Sequence, residues 1–259
     1  MRTSILQGLI KPVRRRLGVW FDHLAPRACA LCDQTLAPGM FPGVCMACLL
    51  AMPGATRLRC ARCGLPHDLP DDHSANRQAC PCSKAAPGFD QTVAVADYAA
   101  PLDRVVTSLK FGRQLNLARP LGELLATRWL GSTPAIRLDC LVPVPLSASR
   151  LAQRGFNQAL EMARSMAASV RTPLPVMPFD LRRVRDTSPQ TGLSLDERRH
   201  NLIGAFSCDA RFDGLHVGLV DDVMTSGSTL TESARVLKAA GARSVIALVV
   251  ARTMRDSPA

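Results

Sequence analysis

The sequence predicts an α/β protein: a mainly parallel sheet with helices on both faces, preceded by a small metal-stabilised region. Three observations carry this. Beyond about residue 88, apolar stretches of strand length alternate with stretches of helical period, the pattern of a parallel sheet with crossover helices. Eight of the ten cysteines crowd between positions 29 and 82, and Cys140 and Cys208 stand alone. With 259 residues and 47% apolar content the chain has enough material for one large core or two modest domains.

In chain order, residues 1–26 form a basic N-terminal segment with three consecutive arginines, Arg14 to Arg16. It is expected to be a solvated helix lying on the domain, with binding to a membrane surface as the other reading. Its arginines follow a short apolar stretch instead of preceding a long one, the wrong order for an export signal. No apolar run reaches the roughly 18 residues that a membrane span needs. The expectation is a cytoplasmic protein.

Residues 27–88 carry the cysteine pairs. Cys29-x₂-Cys32 and Cys45-x₂-Cys48 are separated by twelve residues, a spacing that brings four thiolates to one tetrahedral Zn²⁺. Cys60-x₂-Cys63 is followed after sixteen residues by the tighter pair Cys80-x-Cys82. Disulfides persist poorly in a reducing cytoplasm, and four cysteines leave no open coordination position, so one or two structural zinc ions are expected. Crossed pairing between the two sets stays open at this point, and His67 and His73 are spare candidate ligands.

Residues 89–259 supply the α/β domain. Strand 92–98 is followed by a helix that begins with Pro101 in a favourable first-turn position, repeats apolar residues at Leu102, Val105, Val106 and Leu109, and stops near Gly112. A helix is expected over 115–130, a buried strand over 138–145 and a helix over 155–170. Residues 181–202 read as irregular and Arg-rich. Strand 216–222, helix 229–240, a stop at Gly241 and strand 244–251 complete the series.

The segment "VGLVDDVMTSGSTL" (217–230) runs from an apolar strand into Asp221 and Asp222, then into Thr225, Ser226, Gly227, Ser228 and Thr229, then into a helix. Small residues at a helix N-terminus direct N–H groups, hydroxyls and the positive end of the helix dipole to one point, which suits a phosphate. Ser228 or Thr229 is expected to cap the helix. Two carboxylates would repel that phosphate, so they belong to another part of the ligand: vicinal ribose hydroxyls or Mg²⁺. Both are expected at a solvent-facing strand end. The combination suits a ribose 5-phosphate.

These residues resemble the motif by which type I phosphoribosyltransferases bind 5-phosphoribosyl-1-pyrophosphate (PRPP). The segments "VPVPLSASRLAQRGFNQ" (142–158) and "RRVRDTSPQTGLSLDERRHN" (182–201), with the cysteine pairs, resemble the ComF family of competence-related proteins over about residues 27 to 254. The resemblance implies a type I phosphoribosyltransferase-like fold in which Asp221 and Asp222 hold the ribose and residues 225–229 the 5-phosphate. It further implies that Arg150 and Arg154 neutralise the departing pyrophosphate, and that the catalytic Arg185 with Thr187, Gln190, Arg199 and Asn201 belongs to a mobile lid segment. Lys110 is weighed between a further phosphate contact and a snorkelling surface lysine.

The implied activity is transfer of a phosphoribosyl group from PRPP and Mg²⁺ to an unidentified nitrogen acceptor, in a process associated with DNA uptake. The alternative is a non-catalytic module that binds PRPP or single-stranded DNA and docks to a competence helicase. The net charge of +11 permits polyanion binding, although eight thiolates around two Zn²⁺ would lower it to about +7. Aromatic residues make up only 4% of the chain, few for the base-stacking platforms of single-strand binders.

Overall fold

The computed structural model describes residues 28–37, 43–66, 80–83, 86–132, 135–172, 174–186 and 201–254. The N-terminal segment 1–26, His67, His73, Thr187, Gln190 and Arg199 lie outside them.

Four strands form the central sheet: β1 (Gln91–Asp97), β2 (Cys140–Pro143), β5 (His216–Met224) and β6 (Ser244–Arg252). Their spatial order is β1-β6-β5-β2, and every pairing is parallel. At the β2 edge, Leu141 exchanges backbone bonds with Pro175 and Met177, a short extension of the sheet.

Because side chains alternate along a strand, the buried residues of β6 divide between two cores. Ile246, Leu248 and Val250 join α2 (Leu102–Phe111), α3 (Ala118–Leu130) and α5 (Gln158–Ser169) on one face. Val245, Ala247 and Val249 face α6 (Ser228–Ala239) on the other. Helices therefore cover both faces, as expected. Gly122 lets α3 approach α5 closely, since a Cβ there would lie 2.4 Å from the Met162 carbonyl oxygen.

Three local details depart from the sequence expectation. The helix expected from 115 starts as a 3₁₀ turn, Leu115–Leu117, before α3. The helix expected over 155–170 is α5, and a further helix that was not expected, α4 (Ala148–Arg154), precedes it. Ser147 caps α4, Gly155 ends it at φ +80°, and Asn157 caps α5, so the break is built from local side chains. Within the segment read as irregular, β3 (Leu181–Arg183) pairs antiparallel with β4 (Phe206–Cys208).

The cysteine region rests on this body in two places. Cys29, Leu36, Val44 and Met52 belong to the same apolar core as Leu121 and Leu125 of α3, and α1 (Met46–Ala51) lies between Val44 and Met52. Further along, the Thr92 and Asp97 N–H groups of β1 donate to the carbonyls of Ala61 and Pro53. Arg59 and Asp97 close that contact with a 2.7 Å ion pair between side chains only 6% and 9% exposed.

Candidate functional site

The eight clustered cysteines separate into two groups, Cys29, Cys32, Cys45 and Cys48 in one and Cys60, Cys63, Cys80 and Cys82 in the other, the sulfurs of each lying within 4.8 Å of one another. The pairing is therefore consecutive, not crossed. Sulfur separations of 3.8 Å (Cys32–Cys45), 3.7 Å (Cys60–Cys82) and 3.3 Å (Cys63–Cys80) are too long for disulfides and approach the roughly 3.8 Å edge of a tetrahedral Zn–S₄ site. In the second group, hydrogen bonding to Cys63 pulls the Cys60 thiol down to about 4, while burial pushes Cys82 up to about 12. Four sulfurs compete here for charge that a divalent cation would stabilise. Each group could hold a metal ion.

The second site lies where parallel strands end, the usual place for ligands in such sheets. β5 delivers Asp221 and Asp222 there. Asp222 is 7% exposed, and its carboxylate pairs with Lys110 of α2 at 2.8 Å. The expectation that both acids face solvent is thus corrected for Asp222. Lys110 is likewise not a free surface lysine; it bridges from α2 to β5. The carboxyl of Asp221, a residue that keeps some solvent contact, is pushed up to about 7, first by burial, then by the Asp222 charge, with Lys110 opposing.

After the acids, the chain turns through Thr225 and Ser226 into Gly227, at φ +79°. Gly227, not Ser228 or Thr229, is the N-cap of α6 and offers no side-chain acceptor, while the Ser226 hydroxyl accepts from the Ser228 N–H at 3.3 Å. Ser228 is buried as the first helical residue, 2.8 Å from the Ser226 hydroxyl, and Thr229 follows it in the first turn. A helix N-terminus that begins on glycine beside two hydroxyls is an anion site in its composition.

Arginines face this point from two further elements. The Val144 N–H donates to Val220, which sets the chain leaving β2 beside the acids. Asn157 binds the Val144 carbonyl at 3.1 Å and fixes the α4 turn that carries Arg150 and Arg154. Arg154 lies over the Phe111 ring, 5.3 Å from its centroid, and bonds Gln158 at 3.0 Å, while its buried Nε has no hydrogen-bond partner among the described residues. Burial works against its charge; Asp222 supports it, Arg150 opposes it, and Asp221 supports it.

Arg183 of β3 belongs to the same group: burial and the Arg150 charge lower its pKa, and Asp186 and Asp221 raise it. It was not among the residues singled out from sequence. Arg185 instead binds the carbonyls of Asn201 and Ile203, both at 2.9 Å, tying the two sides of segment 187–200 together. The structure thus gathers Asp221, Asp222, Lys110, Arg150, Arg154, Arg183 and the 225–229 turn. Asn201 is met through its carbonyl.

A phosphoribosyl transferase domain model matches residues 152–258. The chain is 34% identical over 235 residues to the DNA utilization protein YhgH of Salmonella typhi, covering 88% of this chain and 98% of that protein. It is 33% identical over 192 residues to competence protein F of Haemophilus influenzae, covering 72% and 81%. An adenine phosphoribosyltransferase from Leishmania tarentolae overlays 64% of this chain and 93% of its own at 11% identity, with a TM-score of 0.34, too loose an overlay to argue from.

Proposed function

The chain belongs to the ComF family, with competence protein F and YhgH among its relatives, and carries a phosphoribosyltransferase-type domain behind two four-cysteine clusters; on that premise we propose that it binds PRPP with Mg²⁺ and transfers the phosphoribosyl group to a nitrogen acceptor. One observation carries the reading: the paired acids adjoin a glycine-initiated helix N-terminus and are faced by arginines from α4 and β3.

In this reading the turn at 225–229 donates N–H and hydroxyl groups to the 5-phosphate. Asp221 and Asp222 accept from the ribose hydroxyls. For Asp222 that means sharing its carboxylate with Lys110, which fixes the group. Arg150, Arg154 and Arg183 stabilise the charge that gathers on pyrophosphate as the bond to the anomeric carbon breaks. The Nε of Arg154, which has no partner among the described residues, is assigned as a donor for that purpose. The carboxylates are hard oxygen donors that suit Mg²⁺, which supplies further charge neutralisation when it arrives with PRPP. Covering the sugar against water by Thr187, Gln190 and Arg199 is part of the same proposal. The two cysteine clusters are assigned to structural Zn²⁺.

Titration calorimetry with PRPP, with and without Mg²⁺, alongside an assay of pyrophosphate release, tests this. Binding with release supports a transferase or a PRPP hydrolase. Binding without release supports the second reading, a PRPP-responsive module, which the relatives' names connect with competence and DNA utilization. Absence of binding overturns the site.

A further inference from the structure

Arg252 is the last residue of β6 and only 2% exposed, yet neither cysteine cluster nor phosphate turn accounts for it alone. Its guanidinium serves both. Nε donates to the carbonyl of Cys63 at 3.1 Å. Nη1 donates to the carbonyls of Met224 and Thr253, each at 2.9 Å, and to that of Thr225.

The consequence follows from peptide geometry. In a planar trans peptide the C=O and the next N–H point in opposite directions. Holding the Met224 and Thr225 carbonyls toward Arg252 therefore turns the N–H groups of Thr225 and Ser226 away from it, as donors for an anion. A rigid donor pair needs a rigid anchor, and the anchor is the Cys63 carbonyl.

That carbonyl is set by the cysteine turn. Cys60 N–H bonds Leu65, Gly64 N–H bonds Cys60, and Arg59 holds the Gly64 carbonyl at 3.0 Å. Gly64 sits at φ +71°, where a Cβ would come within 2.7 Å of the Thr92 methyl. A cavity of about 280 Å³ adjoins Cys63, Cys82, Met224, Ser226 and Arg252, so a released turn has room to relax.

We infer that Arg252 is a positioning residue that couples metal retention at Cys60, Cys63, Cys80 and Cys82 to the donor geometry of the 225–229 turn. The coupling rests on the PRPP reading for its functional meaning, but not for its structure. Loss of the metal ion frees the Cys63 carbonyl, Arg252 loses one acceptor, and the turn loses its fixed donors.

The test compares full-length wild type, Arg252→Gln, Arg252→Lys and wild type stripped of metal, with metal loss verified by elemental analysis. Two readouts are used: hydrogen exchange of the peptide spanning 224–230, and PRPP affinity by calorimetry. Arg252→Gln and metal removal are each expected to accelerate exchange in that peptide and to weaken PRPP by about tenfold or more. Arg252→Lys should fall between. Glu123→Ala, which releases a tether of the first cluster only, should leave exchange at 224–230 unchanged. Unchanged exchange after verified metal loss, or in Arg252→Gln, overturns the coupling. If wild type fails to bind PRPP, the functional reading falls while the exchange readout still decides the coupling. If Arg252→Gln does not fold, the metal-stripped wild type decides.

Discussion

The two cysteine clusters offer the same four sulfurs from two short turns, but they join the α/β body through different kinds of bond. The first is seated by apolar side chains in the core beneath α3, with one polar tether from the Gly43 N–H to Glu123 at 2.7 Å. The second is held by backbone bonds to β1, by the Arg59–Asp97 pair and by Arg252. Apolar contacts are non-directional and tolerate small shifts, whereas hydrogen bonds transmit orientation. The first cluster is built to add core; the second is built to hold neighbouring groups at fixed angles.

Metal removal separates the two most strongly, because structural Zn²⁺ contributes roughly 10–16 kcal/mol in small four-ligand sites. Verified removal should open residues 28–66 to limited proteolysis before any cut appears in β1, β2, β5 or β6. An unchanged cleavage pattern would refute a structural metal. Next in size is Arg59→Met, which strands Asp97 in a buried setting and should cost about 3–5 kcal/mol by chemical denaturation. A loss below 1 kcal/mol would mean that solvent reaches this contact.

For the first cluster, Glu123→Ala leaves the Gly43 N–H without its acceptor, and the expected loss is about 1–3 kcal/mol. If this exceeded the loss in Arg59→Met, the contrast between the clusters would be reversed. A pH-dependent effect separates the site from both. Asp221, raised from an ordinary 3.8 to about 7, holds a proton in the folded state that the unfolded chain has already released. Stability from this residue is therefore lost as pH rises between those values. Asp221→Asn should flatten that slope in denaturation curves taken from about pH 4 to pH 8. In wild type, PRPP affinity should rise over the upper part of the same window. A slope identical in the variant would assign the titration elsewhere.

What was legible in the sequence was contiguous. Asp221 to Thr229 follow one another, and each cysteine pair spans at most four residues, so local chemistry was on display. The strand and helix series was legible because each element carries its own period. What escaped depends on distant partners. Lys110 meets Asp222 across more than a hundred residues, and Arg252 meets Cys63 across a still longer interval. Arg183 sits in a three-residue strand whose partner, β4, begins at Phe206, beyond the reach of any periodicity argument. The short α4, missed from sequence, did have a local signal: Ser147 caps it and Gly155 ends it.

β1 ends the sheet, and its outward Thr92 and Asp97 N–H groups are taken by Ala61 and Pro53. Stripping the second cluster would leave those donors as a bare template for another chain. Metal loss would then appear as self-association before the α/β body unfolded, so the two cysteine turns guard the solubility of the protein as well as its shape.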